Sequence, residues 1–348
     1  MCAGRAETDL LFTKLLERRT LGNSDLAISA IGLGTWAIGG GDWIFGWGPQ
    51  KDSESLATIR QAIDCGINWI DTAAAYGLGH AEIIVSRALK DFPRADRPYV
   101  FATCSLAWDE LGNVAQSFRP QSIRKEAEGS LRRLGIECFD LYALGCPVSP
   151  NRPPADHTGL METAWETMAA LRREGKTRFI GLSNCNVNQL GRLQRMAPFT
   201  SAQVPYSLLQ RQAEDRMLPF CERHGIGVIA HSTLNSGLLT GEMTRDRIEG
   251  LPHNDWRQRS RFFQELARDR ALGIVERLRV AAERHGRTAG EVAIAWALSH
   301  RGVTAASVGA RRPHQLDEVV RAASFLLSGA EIEELERAWP RIRTRSGQ

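Results

Sequence analysis

The sequence predicts an α/β fold: a (β/α)8 TIM barrel with an N-terminal β-hairpin and extra helices at its C-terminal end. Three observations carry this. The chain has 348 residues, enough for one such barrel, which takes roughly 250 residues before insertions and tails. From residue 53 onward helical and strand periods alternate, the pattern of a parallel sheet with crossover helices. The apolar strand runs counted from Ile31 number eight, and no domain boundary interrupts them. The organisation read from this is an N-terminal extension over residues 1–18 and a single barrel domain over 19–348.

The elements follow in order. Leu10, Leu11, Phe12, Leu15 and Leu16 make a short amphipathic piece, a helix or an ordered tail. Residues 19–29 form two apolar runs around Gly22-Asn23, a hairpin by its turn chemistry. A first strand, Ile31-Gly-Leu-Gly-Thr-Trp36, ends in glycines. Residues 39–48 (Gly-Gly-Gly-Asp-Trp-Ile-Phe-Gly-Trp-Gly) are too glycine-rich for an element interior and too aromatic for a plain linker. They read either as a mobile substrate lid or as simple packing. Helix 55–64 then leads to strand 69–71, helix 81–90 to strand 99–103, helix 122–134 to strand 139–144, and helix 160–174 to strand 179–183. Helix 188–196 leads to strand 202–204 and helix 215–224 to strand 227–232. A long polar connection follows, then helices 271–284 and 290–300, a last strand at 306–308 and a closing helix at 329–339.

Composition narrows the function classes. Lys plus Arg number 44 against 40 Asp plus Glu, a net charge of +4 spread along the chain. That is too slight to argue for nucleic acid or a membrane surface as a partner, and no apolar run nears the roughly 20 residues of a span. The expected partner is a small-molecule substrate. Seven cysteines (Cys2, Cys65, Cys104, Cys138, Cys146, Cys185 and Cys221) show no paired spacing, so a reducing, cytoplasmic setting is expected. Cys104, Cys146 and Cys185 follow three successive strands, yet strand alternation turns Cys104 away if Thr103 faces inward. Packed cysteines rather than zinc ligands are expected, and no metal.

The stretch Gly66-Ile-Asn-Trp-Ile-Asp71-Thr-Ala-Ala-Ala-Tyr76-Gly77 places a carboxylate at the C-terminal end of a strand and a phenol in the loop beyond. In a parallel barrel this is the face that carries chemistry. Asp71 then serves as a charge and Tyr76 as a proton donor; alternatively Asp71 or Thr72 caps a helix and the tyrosine merely packs. The stretch closely resembles the second strand and loop of the aldo-keto reductases, Gly-Ile-Asn-x-Ile-Asp-Thr-Ala-x-x-Tyr-Gly. Gly175-Lys-x-Arg-x-Ile-Gly-Leu-Ser-Asn184 and Tyr206-Ser-Leu-Leu-x-Arg211 resemble the same family, and the likeness runs from about residue 20 to about 341. It implies an NADP(H)-dependent carbonyl reductase with an Asp, Tyr, Lys, His tetrad, in which Asp71 and Tyr76 are the first two members.

The same resemblance assigns a cofactor side. Ser183, Asn184 and Gln203 match the positions that hold the nicotinamide carboxamide, and Tyr206 matches the tyrosine that stacks on its ring. The run 232–241, with Ser232, Leu234, Ser236, Gly237 and Leu238, resembles the loop that folds over the pyrophosphate. Its small residues let backbone N–H groups approach phosphate oxygens. Gly309, Arg311, Gln315 and Glu318 fall in the segment that grips the adenosine 2′-phosphate and the adenine, which favours NADP over NAD. Val319 stands where the family has an asparagine.

The other half of the tetrad departs from the pattern. Val100-Phe-Ala-Thr103-Cys-Ser105 stands for Val-Phe-Thr-Lys-Cys-Ser, so Thr103 replaces the lysine. Leu141-Tyr-Ala-Leu-Gly145-Cys146-Pro147 stands for Leu-Tyr-Gln-x-His-Trp-Pro, so Gly145 replaces the histidine and Cys146 the tryptophan. Without its cation a buried Asp71 should have a raised pKa, or else take a hydrogen bond from Thr103. Three readings compete: an oxidoreductase whose proton comes from Tyr76, aided by Asp71 or His231; a redox-neutral enzyme exchanging protons, as in elimination, isomerisation or cyclisation; and a non-catalytic NADP-binding regulatory protein. Trp36, Trp43, Phe45, Trp47 and Cys146, over a floor enlarged at Gly145, suggest a bulky, partly apolar substrate.

Overall fold

Eight parallel strands close on one another in sequence order, each leaving the barrel for a helix before it returns. The structure, a computed structural model, describes residues 16–41, 43–146 and 158–339, so the amphipathic piece around Leu10 lies outside the described residues. A hairpin opens the fold: β1 (Arg18–Thr20) pairs antiparallel with β2 (Ala27–Ser29). The barrel begins with β3 (Ile31–Gly34), β4 (Trp69–Ala73) and β5 (Tyr99–Cys104). A second hairpin, β6 (Leu106–Trp108) with β7 (Val114–Gln116), interrupts the alternation and was not foreseen. The barrel resumes with β8 (Phe139–Gly145), β9 (Thr177–Ser183), β10 (Ser201–Pro205), β11 (Gly227–His231) and β12 (Ala305–Gly309), which pairs with β3 to close it.

The hairpin plugs the N-terminal end. Leu21, Leu26 and Ile28 pack with Trp69, Phe101, Leu141, Ile229 and Ala305, and the Trp69 indole donates to the carbonyl of Ser29 at 2.9 Å. This is a closely packed apolar layer. The chemistry is therefore left to the opposite rim, where the strands end.

Helix limits follow local chemistry. Pro120 starts Pro120–Leu134, where its missing N–H costs nothing, and Gly135 ends it at φ +67°. Asn186 with Gln189, Thr288 with Glu291 and Ser328 with Glu331 form reciprocal capping boxes. The polar connection after β11 folds into short turns and the helix Arg245–Glu249 before Glu265–Glu283 begins, six residues earlier than expected. The segment after β12 opens the helix Gln315–Ala323, as its sequence leads one to expect.

Candidate active site

Towards the C-terminal rim, β4 carries Asp71 two residues before its end, and this residue is 7 % exposed. One of its oxygens, Oδ2, accepts from Gln203 Nε2 and from Ser307 Oγ, each at 2.7 Å. Its backbone carbonyl accepts from the Thr35 hydroxyl at 3.0 Å. Ser307 reaches the carboxylate only because its neighbour Gly34 has no side chain: a Cβ there would stand 2.8 Å from Ser307 Oγ. Burial pushes the Asp71 pKa up to about 6, and the two hydrogen bonds offset part of that rise. Among the described residues no lysine or arginine pairs with this carboxylate. Of the two outcomes expected for a lost cation the first holds, and the hydrogen bonds come from Gln203 and Ser307 rather than from Thr103.

Tyr76 is held by backbone contact. Gly77 lies at φ +60° against the carbonyl of Gly39, and a Cβ on Gly39 would stand 2.9 Å from the Tyr76 carbonyl carbon. The glycines of the 39–48 stretch thus let two loops meet where any side chain would part them. Burial, with the Asp71 carboxylate close by, pushes the phenol pKa well above its ordinary value. It is a neutral hydrogen donor and a weak acid.

The phenol faces an aromatic wall. Trp36 stacks on Tyr76 with centroids 6.2 Å apart, and Trp43 lies tilted at the same separation. Phe45 meets Trp43 edge-on, Trp47 meets Trp36 edge-on, and Trp256 stacks on Trp36 at 4.8 Å. All four aromatics expected here come together, and Trp256, hidden in the polar connection, is an addition. The loop is pinned rather than loose. Its carbonyls accept from Arg259 (at Ile44), Trp36 Nε1 (Phe45), the Trp256 amide (Gly46), and Arg311 (Trp47 and Pro49).

Thr103 and Gly145 lie at the ends of adjacent strands, and the floor between them is not enlarged. A Cβ on Gly145 would stand 2.9 Å from both the Cys104 carbonyl oxygen and the Thr103 methyl, so the backbone fills the space that a lost side chain was expected to open. Ser105, at φ +96°, bonds the Gly145 carbonyl through its hydroxyl, and its amide donates to Glu126 at 2.7 Å. Glu126 is a buried carboxyl, pushed up to about 8 by burial. Sequence reasoning missed it, although a glutamate on the apolar face of a helix, three residues after Ile123, is a visible signal. Cys146 and Cys185 face each other with sulfurs 3.1 Å apart. Cys104 packs on Met168 outside the barrel, and among the described residues no cluster of three or more His, Cys, Asp or Glu gathers.

Two expected groups have other work. His231 shares Nε2 with Asn184 Oδ1 at 2.8 Å and Nδ1 with Ser232 Oγ at 2.9 Å. Burial pushes its pKa down to about 4, so the ring is neutral and ties the β9 loop to the β11 loop instead of standing ready as an acid. Tyr206 is fully buried, stacked on Trp296 at 5.0 Å with its hydroxyl bonded to Glu214 at 2.8 Å. That ring has no face left for a nicotinamide, which corrects the expectation. Leu238 and Val319 are likewise core residues.

The remaining cofactor candidates share the rim. Ser183 is the last residue of β9 and pairs with Gln203 of β10, while Asn184 sits at φ +60°. After β11, Ser232, Asn235 and Ser236 all lie in the left-handed region, followed by Gly237 at φ +90°, and Leu234 is half-buried among them. The amides of Asn235 and Gly237 are taken by the carbonyls of Ser232 and Leu234 within the loop, and the buried Asn235 Nδ2 has no partner among the described residues. Beyond Gly309 of β12, the Gln315 side chain accepts from the amides of Arg311 and Arg312, and Glu318 is exposed one turn along. The Asn235 amide nitrogen, the left-handed backbone around it and two arginines suit a polyanionic dinucleotide; the residues present fit NADP(H) or NAD(H). Elsewhere, a groove of about 620 Å³ between the outer helices Val187–Met196 and Ala213–Arg223 is lined by Arg192, Arg195, Arg216 and Arg223 and shares no residue with this rim.

Comparison with known proteins agrees with this arrangement. The profile of the Aldo/keto reductase family matches residues 30–340. The NADH-specific methylglyoxal reductase of Escherichia coli (strain K12) is 33 % identical over 91 % of this chain and 96 % of its own length. The aldo-keto reductase YhdN of Bacillus subtilis (strain 168) is 34 % identical over 92 % of each. Among solved structures, the glycerol dehydrogenase AKR11B4 from Gluconobacter oxydans superposes with a TM-score of 0.80 at 33 % identity, covering 95 % of this chain and 99 % of that one. An aldo/keto reductase from Klebsiella pneumoniae in complex with NADP and acetate gives 0.67 at 25 % identity, covering 94 % and 98 %.

Proposed function

The chain belongs to the aldo/keto reductase family of oxidoreductases, and from that premise we propose that it is an NADP(H)-dependent oxidoreductase acting on the carbonyl or alcohol of a bulky small molecule, with a slowed proton relay. The observation that supports this most directly is the setting of Asp71. Its carboxylate is shared between Gln203 and Ser307, on β10 and β12, so the reacting corner is joined to strands on the nucleotide side. Ser183, Asn184 and the 232–237 loop would hold the dinucleotide, with Arg311 and Arg312 at its adenosine end. When bound, that group supplies or accepts the hydride at the substrate carbon.

The chain's own residues handle the proton. Tyr76 donates from its hydroxyl to the substrate oxygen, and the Trp36, Trp43 and Trp256 surface orients an apolar body beside it and excludes water. A phenol whose pKa is pushed up by burial, and further by a neighbouring carboxylate, gives up its proton reluctantly, and among the described residues no cation beside Asp71 relieves this. Turnover is accordingly slow on simple aldehydes. A redox-neutral proton exchange is favoured by the burial of Asp71 between neutral donors, which raises its pKa to about 6 and lets that carboxyl act as acid or base near neutrality.

Titration of the protein with NADPH and NADH, read by tryptophan quenching, tests the reading. Binding of neither at millimolar nucleotide would sink it. Tyr76→Phe should remove turnover while leaving nucleotide affinity within about twofold. Thr103→Lys combined with Gly145→His should raise simple aldehyde reduction on the order of a hundredfold. Gly145→His should destabilise the fold in the single and the double variant alike, because its Cβ meets the Cys104 carbonyl, so folding is checked first. A folded double variant with unchanged aldehyde reduction would move the assignment to proton exchange.

A further inference from the structure

We propose that Arg311 decides the dinucleotide preference by a competition: the carbonyl oxygens of the aromatic loop and an adenosine 2′-phosphate contend for the same guanidinium. The inference rests on the functional reading above and goes beyond it, because it ties nucleotide choice to the wall that faces the substrate.

The contacts are specific. Arg311 Nε donates to Gln50 Oε1 at 2.9 Å, Nη1 to the Trp47 carbonyl at 3.0 Å and Nη2 to the Pro49 carbonyl at 2.5 Å. In return Gln50 Nε2 donates to the Arg311 carbonyl at 2.8 Å. Every side-chain nitrogen of this arginine is thus engaged by residues 47–50. On the other side of the same loop, the Arg257 guanidinium lies 4.7 Å over the Trp47 ring while Nη1 reaches the Ser236 carbonyl. The loop that carries Trp43, Phe45 and Trp47 is therefore held directly by Arg311 and linked through Arg257 to the 232–237 loop.

The acceptors on Arg311 are neutral amides, whereas a phosphate is a dianion with fixed oxygens. Charge-assisted bonds of that kind are roughly twice as strong as neutral ones and suit the arginine fork. A 2′-phosphate therefore draws Arg311 from the loop, and binding it costs the bonds that pin Trp47 and Pro49. A nucleotide with a bare 2′-hydroxyl has no such claim and leaves the loop pinned. Because coupling is reciprocal, any change that frees the loop tightens the phosphorylated nucleotide alone.

The test uses 2′,5′-ADP and 5′-AMP, fragments without a nicotinamide, on the full chain. Binding is measured by calorimetry, and hydrogen exchange by mass spectrometry is followed in peptides covering residues 43–50. Saturating 2′,5′-ADP should speed exchange in that loop several-fold, and 5′-AMP should not. Gln50→Ala, which removes one loop acceptor, should tighten 2′,5′-ADP by about fivefold and leave 5′-AMP unchanged. Arg311→Gln should abolish the difference between the fragments. Binding of 2′,5′-ADP with unaltered loop exchange overturns the competition but not the functional reading. Equal loop responses to both fragments overturn it as well. Failure of 2′,5′-ADP to bind removes both the competition and the NADP half of the reading, leaving NAD(H).

Discussion

Asp71 sits between two neutral donors where a cation was absent from the sequence, and the physical consequence is a stability penalty that depends on pH. In the unfolded chain its carboxyl ionises near 3.8; in the fold burial raises this to about 6. Between those values the folded state holds the extra proton, so stability falls as pH rises through the window. Below it there is no penalty, and above it the full one stands, about 2 to 3 kcal/mol. Asp71→Asn keeps an acceptor for Gln203 and Ser307 and removes the charge. It should raise the free energy of unfolding by about that amount at pH 8 and by almost nothing at pH 3.5, measured by urea denaturation. Equal gains at both pH values would show that the carboxylate is not the source. At this scale the sequence was half legible. Asp71 and Tyr76 stand in a specific motif, but Ser307 and Gln203 reach Asp71 from 236 and 132 residues away. No local pattern records a register between strands so far apart.

At the scale of elements, the glycine-rich stretch before the first helix is explained by contact rather than by mobility. Gly77 and Gly39 touch backbone to backbone and so place Tyr76 beneath Trp36. Gly77→Ala must both adopt φ +60° with a side chain and displace the Gly39 carbonyl, so it should cost at least about 3 kcal/mol. Gly175→Ala is the control, since it too has a positive φ, +74°, but nothing lies within 4 Å of its Cβ. It should cost only about 1 kcal/mol. Chemical denaturation of the two variants separates crowding from backbone strain, and equal losses would refute the backbone contact. Helix and strand positions were legible to within a few residues because their periods are local. The β6–β7 hairpin and Trp256 were not. The hairpin is three residues per strand, too short to show a period, and Trp256 joins the wall through a fold of the long connection after β11.

At the scale of the molecule, the barrel separates what holds it together from what it does. The N-terminal end is sealed by the β1–β2 hairpin around Trp69, with the Phe101 ring tilted against it at 5.1 Å and the indole N–H satisfied by Ser29. The C-terminal rim carries left-handed backbone, a carboxyl of raised pKa and indole N–H groups on Trp43, Trp47 and Trp256 that have no partner among the described residues. Each of these costs stability, whereas the packing around Trp69 adds to it. Substitutions should therefore divide by end. Trp69→Ala should cost about 3 to 5 kcal/mol through a cavity and an orphaned Ser29 carbonyl, yet leave nucleotide affinity of the folded fraction within about twofold. Phe45→Ala, half-buried at the rim, should cost about 1 kcal/mol and instead shift the substrate KM by tenfold or more. Unfolding curves and nucleotide titrations on the two variants decide the matter. If Trp69→Ala weakened nucleotide binding as strongly as it weakened the fold, the two ends would be coupled, and the rim geometry would have to be explained by the barrel as a whole rather than by the loops that form it.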